Sequence, residues 1–163
     1  MTWFLEKIIS QLLAFVPAHL KNTYDFLTCL NQTFPEGVPE DAILFTVDVA
    51  YLYGNIPTNE ATDSVITLID KHKDCIDLCG LDLDNVENLL VHCLSNNLFR
   101  FGQRYFKQTN GIAMGSRVAP PIAIIFMDAV ESMMLSSTDL RPSIYLRYID
   151  DIFWDLDSRP PHS

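Results

Sequence analysis

Tyr145-Leu-Arg-Tyr-Ile-Asp-Asp-Ile-Phe153 sets two adjacent carboxylates, Asp150 and Asp151, inside an otherwise apolar and aromatic run. Ile144, Tyr145, Leu146, Tyr148, Ile149, Ile152, Phe153 and Trp154 are the residue types of a half-buried strand. Aspartate is depleted in strands and favoured in turns, so the stretch predicts a β-hairpin with the acids at its tip. Two like charges at a tip repel each other, and a divalent cation relieves the repulsion because hard cations take carboxylate oxygens. A polar turn between two ordinary strands accounts for the same residues. The stretch alone does not choose.

Bulk properties narrow the field. A chain of 163 residues, 48% hydrophobic and 20% charged, is long enough for a single domain with a real core. No run approaches 18 uninterrupted apolar residues, so no membrane span is expected. The apolar run Ile8 to Val16 is broken by Ser10 and Gln11 and reads as an amphipathic helix rather than a signal peptide. Cys29, Cys75, Cys79 and Cys93 read as free buried thiols. Cys75 and Cys79 with His72, His92 and Cys93 do not have the tight-turn spacing of a structural zinc site. The net charge of −10 counts against nucleic acid as a partner of this stretch by itself, because phosphate binding needs clustered Lys and Arg. The densest basic cluster is Arg100, Arg104 and Lys107.

Along the chain, Phe4, Ile8, Leu12 and Phe15 give a helical face that Pro17 ends. Asn22 to Gln32 repeats that pattern, and Phe34-Pro-Glu-Gly-Val-Pro39 turns. Ala42-Ile-Leu-Phe-Thr-Val47 is a short continuous apolar run, expected as a buried central strand ending at Asp48. Pro57-Thr58 starts a helix to about His72, with Thr58 the candidate cap. Asp82 or Asp84 caps another through Leu94. Leu98-Phe-Arg-Phe and Arg104-Tyr-Phe-Lys flank Gly102-Gln103 as a hairpin. Pro120-Pro121 opens a long apolar helix to about Leu135, and Leu140 to Ser143 turn into the acidic hairpin. Helices and strands mix without strict alternation, so the fold class is α+β.

Three further features bear on chemistry. Asp48 is a charge at the end of an apolar strand; a solvated strand end explains it, and so does a third carboxylate laid beside Asp150 and Asp151. Two metal ions about 3.5–4 Å apart on such a triplet clamp the attacking and leaving oxygens of phosphoryl transfer. Tyr53 lies where the chain turns at Gly54-Asn-Ile-Pro57; it is a core aromatic or a ring beneath a bound sugar, where it would exclude a 2′-hydroxyl. Gln108-Thr-Asn-Gly111-Ile-Ala-Met-Gly115-Ser116 is a loop whose glycines allow unusual dihedrals and close approach to a ligand.

Phe45-Thr-Val-Asp48-Val-Ala-Tyr-Leu-Tyr53-Gly-Asn-Ile-Pro57 resembles motif A of reverse transcriptases, Gln108 to Pro120 resembles motif B, and Tyr148-Ile-Asp150-Asp151 resembles motif C. The order and spacing are those of the family. Leu-Tyr-Gly-Asn-Ile-Pro and Ala-Met-Gly-Ser are most similar to the Penelope-like retroelement branch. The resemblance implies a polymerase palm, a small antiparallel sheet backed by helices, with partial fingers. Residues 1–40 would be a helical entry, 41–57 motif A, 58–109 helices and hairpin, 110–137 motif B, and 143–156 motif C.

Carried over, Asp48, Asp150 and Asp151 would be the catalytic acids and hold two Mg2+ or Mn2+ ions. Tyr53 would gate the sugar, Gln108, Gly111 and Gly115 would lie against the incoming nucleotide and template, and Tyr148 near the primer end. The implied partners are an RNA template, a DNA primer and dNTPs, with a nuclear site of action for a retroelement. The family usually continues Gly-Ser with Pro-Leu-Ser-Pro, whereas this chain has Arg117-Val-Ala119-Pro120, and Gly54 stands where Thr is common. A basic fingers segment before these residues, and a primer grip and thumb after them, are expected to supply the missing cations. Little turnover is expected from this stretch alone. A non-catalytic remnant of the fold, serving interaction or structure, predicts the same architecture.

Overall fold

Local signals set most helix boundaries in the computed structural model of the chain, which describes residues 1–138 and 142–156. Its contacts divide into two compact units: Met1–Val16 with Tyr51–Ala129, and Pro17–Ala50 with the described residues from Val130 onward.

The first unit is mainly helical. α1 (Thr2–Ile9) tightens into a 3-10 turn over Ser10–Phe15. α3 (Leu52–Asn55) is a single turn, followed by α4 (Thr58–His72) and α5 (Leu83–Ser95). α4 packs on α5, α1 on α5, and the 3-10 turn on α4. Ala61, Val65 and Ile69 of α4 and Val86, Leu90 and Leu94 of α5 fall at helical spacing and are buried. Burial of each larger side chain contributes about 1.5–3 kcal/mol. Asp82 is the cap of α5, its carboxylate accepting the Asn85 N–H at 2.7 Å. Thr58 is not a cap: Pro57 holds that position and Thr58 is the first helical residue. β2 (Leu98–Phe101) and β3 (Arg104–Lys107) form the expected hairpin, with Gly102 at φ 61°. Its eight strand residues are all exposed.

α6 (Ala119–Ser136) begins in the first unit and ends in the second. By length and composition only, it is long and apolar enough to cross a membrane, a test that a core helix also passes; Asp128 and Glu131 interrupt its apolar run. Part of that hydropathy is used internally, since Ile122, Ala123, Ile124 and Ile125 are buried. The cysteines are free thiols but none is buried: Cys75 and Cys79 are exposed, Cys29 and Cys93 half-buried. His72 stacks on Phe15 with ring centroids 3.9 Å apart.

The second unit is a three-stranded antiparallel sheet of order β1-β5-β4, from β1 (Ile43–Asp48), β4 (Tyr145–Tyr148) and β5 (Asp151–Leu156). α2 (Thr23–Thr33), capped by Asn22, turns Phe26, Cys29 and Leu30 toward Leu146 and Phe153. Phe26 meets Phe153 edge-on at 5.1 Å. Tyr145, Trp154 and Phe45 stack along one face. Residues 18–20 run beside β4: Arg147 donates its N–H to the Ala18 carbonyl at 2.6 Å and accepts from Leu20 N–H at 2.8 Å.

β1 is not the buried central strand that its apolar run predicts. β5 takes the centre; among the described residues β1 pairs with it alone, and every residue of β1 is exposed. A continuous apolar run reports that a strand suits burial on two faces, not that two faces are covered. Of the turn expected over Leu140 to Ser143, Leu140 and Arg141 lie outside the described residues.

Asp155, 3% exposed, closes the open end of the β4–β5 hairpin by accepting the Ile144 N–H at 2.9 Å. Asp155→Ala leaves that donor unpaired, and a lower urea midpoint with unchanged m is expected, equivalent to about 1–3 kcal/mol. His19 gives a pH signature. Burial first, then Arg147 and Lys21, hold its imidazole below the usual range, against an opposing pull from Asp25. The folded state therefore binds fewer protons than the unfolded one. The contribution of His19 is complete above the unfolded value near ~6.5 and is lost as pH falls from there through the lower folded value. Melting between pH 7 and 5 is expected to flatten in His19→Gln; equal pH slopes in both proteins exclude this residue as the source.

Candidate active site

The ladder register builds the acidic site. Asp48 ends β1 and lies directly across from Asp151, the first residue of β5; Tyr148, the last of β4, lies across from Asp151 on the other side. Directly opposed residues share a face, with Cβ atoms about 4.5–5.5 Å apart. Asp150 occupies the two-residue turn with Ile149, and its carbonyl accepts the Val49 N–H at 2.9 Å. One backbone step therefore separates Asp48 from Asp150. Ile149 is at φ 56°, in the left-handed region where a β-branched residue is an outlier. Such strain persists only where the surroundings impose it.

The donor set is carboxylate oxygen, which suits a hard divalent cation rather than zinc. The side chains are not already gathered: among the described residues, no three Asp, Glu, His or Cys converge closely enough to hold an ion. The backbone supplies adjacency, and side-chain rotation would have to supply the shell. A groove of about 550 Å³ opens beside Asp151 and Tyr148, lined also by Lys21, Phe26, Thr46 and Phe153.

Tyr53, Gln108, Gly111 and Gly115 belong to the first unit. There the turn after β1 and the loop of residues 108–116 are joined by backbone: Ile112 donates its N–H to the Tyr53 carbonyl at 2.7 Å. Gly111 is at φ 72°, and a Cβ there would stand 2.5 Å from the Tyr53 oxygen and 2.6 Å from that of Gly54. Only glycine fits. Gly115 differs, with no positive φ and open space where its Cβ would be, so the unusual dihedral expected at both glycines occurs at Gly111 alone. Gln108 supports the loop through its side-chain amide, which donates to the Asn110 carbonyl at 2.8 Å.

Sequence reasoning missed a buried polar cluster beside the acidic turn. Arg147 Nε donates to Glu131 Oε1 at 2.7 Å, and its Nη1 donates to the Ile149 carbonyl at 3.2 Å. Burial, then the Glu131 carboxylate and a hydrogen bond to it, push the Tyr145 phenol well above its ordinary range. The available signal was charge out of place: an arginine inside an apolar strand and a glutamate on an apolar helix.

No family model and no curated protein matches the chain. Solved structures do. A telomerase from Candida albicans, in complex with a fragment of telomeric RNA, is similar with a TM-score of 0.72 at 10% identity over 94% of this chain and 30% of its own. Telomerase from Candida tropicalis is similar with a TM-score of 0.72 at 12% identity, over 97% of this chain and 32% of its own. A form of the latter lacking its C-terminal domain gives 0.68 at 12% identity, over 95% and 34%. The chain thus spans about a third of the telomerases it matches. At these identities the likeness is one of fold alone, an α+β fold shared with those telomerase structures.

The two glycines are separable by substitution. Gly111→Ala meets three backbone atoms of Tyr53 and Gly54 at a positive φ, and a loss of about 2 kcal/mol or more in urea unfolding is expected. Gly115→Ala is expected to stay within roughly 0.5 kcal/mol of the parent.

Proposed function

We propose that the chain is the palm of an RNA-directed DNA polymerase, a nucleotidyltransferase that extends a DNA primer on an RNA template with dNTPs. The observation that carries this reading is the register that sets Asp48 against Asp151, with Asp150 one step away at a strained turn. The reaction is attack of a primer 3′-hydroxyl on the α-phosphate of a dNTP, with pyrophosphate leaving. Asp48, Asp150 and Asp151 would hold two Mg2+ or Mn2+ ions, which when bound supply Lewis acidity at the attacking and leaving oxygens. Tyr53 would stand under the nucleotide sugar and exclude a 2′-hydroxyl. Tyr148, on the same rung as the acids and 48% exposed, would lie near the primer end. Gln108, Gly111 and Gly115 would border the nucleotide and template. Exposed Arg100, Arg104 and Lys107 on the β2–β3 hairpin are the cations nearest to a phosphate-binding cluster in a chain of net charge −10.

The tails of motifs A and B support a Penelope-like retroelement origin, and with it a nuclear site of action. A second reading, a non-catalytic remnant serving as an interaction or structural domain, is favoured by the ungathered carboxylates.

Metal binding separates the two. Titration with Mn2+ is expected to raise the melting temperature, with a gain of about 2.7 kcal/mol at a hundredfold excess over Kd. Asp48→Asn with Asp150→Asn is expected to abolish the gain while leaving the metal-free protein as stable or more so, since like-charge repulsion is removed. A melting temperature that ignores Mn2+ would sink the polymerase reading. Primer extension on poly(rA)/oligo(dT) with either ion then tests turnover.

A further inference from the structure

Arg147 is fully buried, and its partner Glu131 is 4% exposed. Burying two charges carries a desolvation cost that well-packed apolar side chains avoid, so stability alone is a weak reason for this pair. The geometry offers another. Arginine has separate donors in a rigid fork, and here one engages Glu131 while another engages the carbonyl of Ile149. That carbonyl belongs to the strained residue of the turn, and Asp150 and Asp151 follow it directly. The backbone of Arg147 is tied to Ala18 and Leu20, so the guanidinium reaches the turn from a fixed base.

We propose that Arg147, oriented by Glu131, is a positioning residue for the acidic turn: by holding the Ile149 carbonyl it fixes where Asp150 and Asp151 stand relative to Asp48. The metal side of this inference rests on the polymerase reading; the clamp itself does not. Glu131 lies on α6, so the helix that follows the motif B loop also sets the motif C turn. Lysine cannot substitute, because a single ammonium is a point charge without the second arm of the fork.

The test has two readouts. Exchange of the Val49 amide, which donates to the Asp150 carbonyl, reports the turn without metal; Mn2+ affinity by electron paramagnetic resonance reports the site. Glu131→Leu with Arg147→Met removes both charges together and, with them, the partner of the Tyr145 phenol, so it is expected to fold but to melt below the parent by about the loss of one hydrogen bond. Its Val49 amide should exchange about tenfold faster, as loss of one hydrogen bond implies. Its Mn2+ binding should weaken about 10–100-fold, as for other supports behind a metal ligand. Should the double variant not fold, Arg147→Lys, which keeps the charge facing Glu131, carries the decision and is expected to show faster Val49 exchange at little cost in melting temperature. Parental Val49 exchange in the folded variants overturns the proposal. A parent protein that binds no Mn2+ but whose Val49 exchange responds to Arg147 supports the clamp and rejects the metal reading.

Discussion

Asp48 and Asp151 face each other across a single rung of the β1–β5 ladder, and much of the second unit serves to keep them there. Directly opposed like charges cost about 0.2–1 kcal/mol in a sheet, so the pairing is not one that strands choose for themselves. It is imposed by register. Six consecutive pairs from Ile43–Leu156 to Asp48–Asp151 fix the alignment, and a one-residue slip would send the apolar side chains to the wrong faces. Asp155 locks the far end of the β4–β5 hairpin through Ile144, while Arg147 holds its near end through Ile149. Between those two points β5 has strands on both sides and no freedom to shift.

How much of this the sequence discloses follows from the range of each interaction. The hairpin, the Asp82 cap and the helical stripes were legible because they depend on neighbours within one turn or one loop. Thr58 misled because threonine serves equally as a cap and as a first helical residue, and Pro57 took the outer position. β1 misled for a different reason: coverage is decided by elements remote in sequence. Arg147 and Glu131 are sixteen positions apart, beyond the reach of any pattern confined to one turn or one loop. Their only trace was a charge where the pattern called for an apolar residue.

Gly111 and Gly115 show why a spacing of two glycines carries so little information by itself. One is obligatory, because the backbone of Tyr53 and Gly54 passes where its side chain would be and Ile112 hydrogen-bonds to that same stretch of backbone. The other meets nothing within the molecule. An absent side chain thus serves the fold at one position and leaves bare backbone at the other. Only coordinates tell them apart.

The outer edge of β1 has a colloidal consequence. Ile43, Leu44, Phe45 and Val47 present apolar surface beside backbone groups that no strand pairs among the described residues, which is the arrangement that recruits a further strand from a neighbouring molecule. What opposes such recruitment is the net charge of −10, through mutual repulsion at long range. That repulsion fades beyond about 8 Å at physiological ionic strength, whereas strand addition acts at contact. Salt that screens the repulsion leaves that edge exposed to a second copy, so the outer edge of β1 is where self-association is expected to begin.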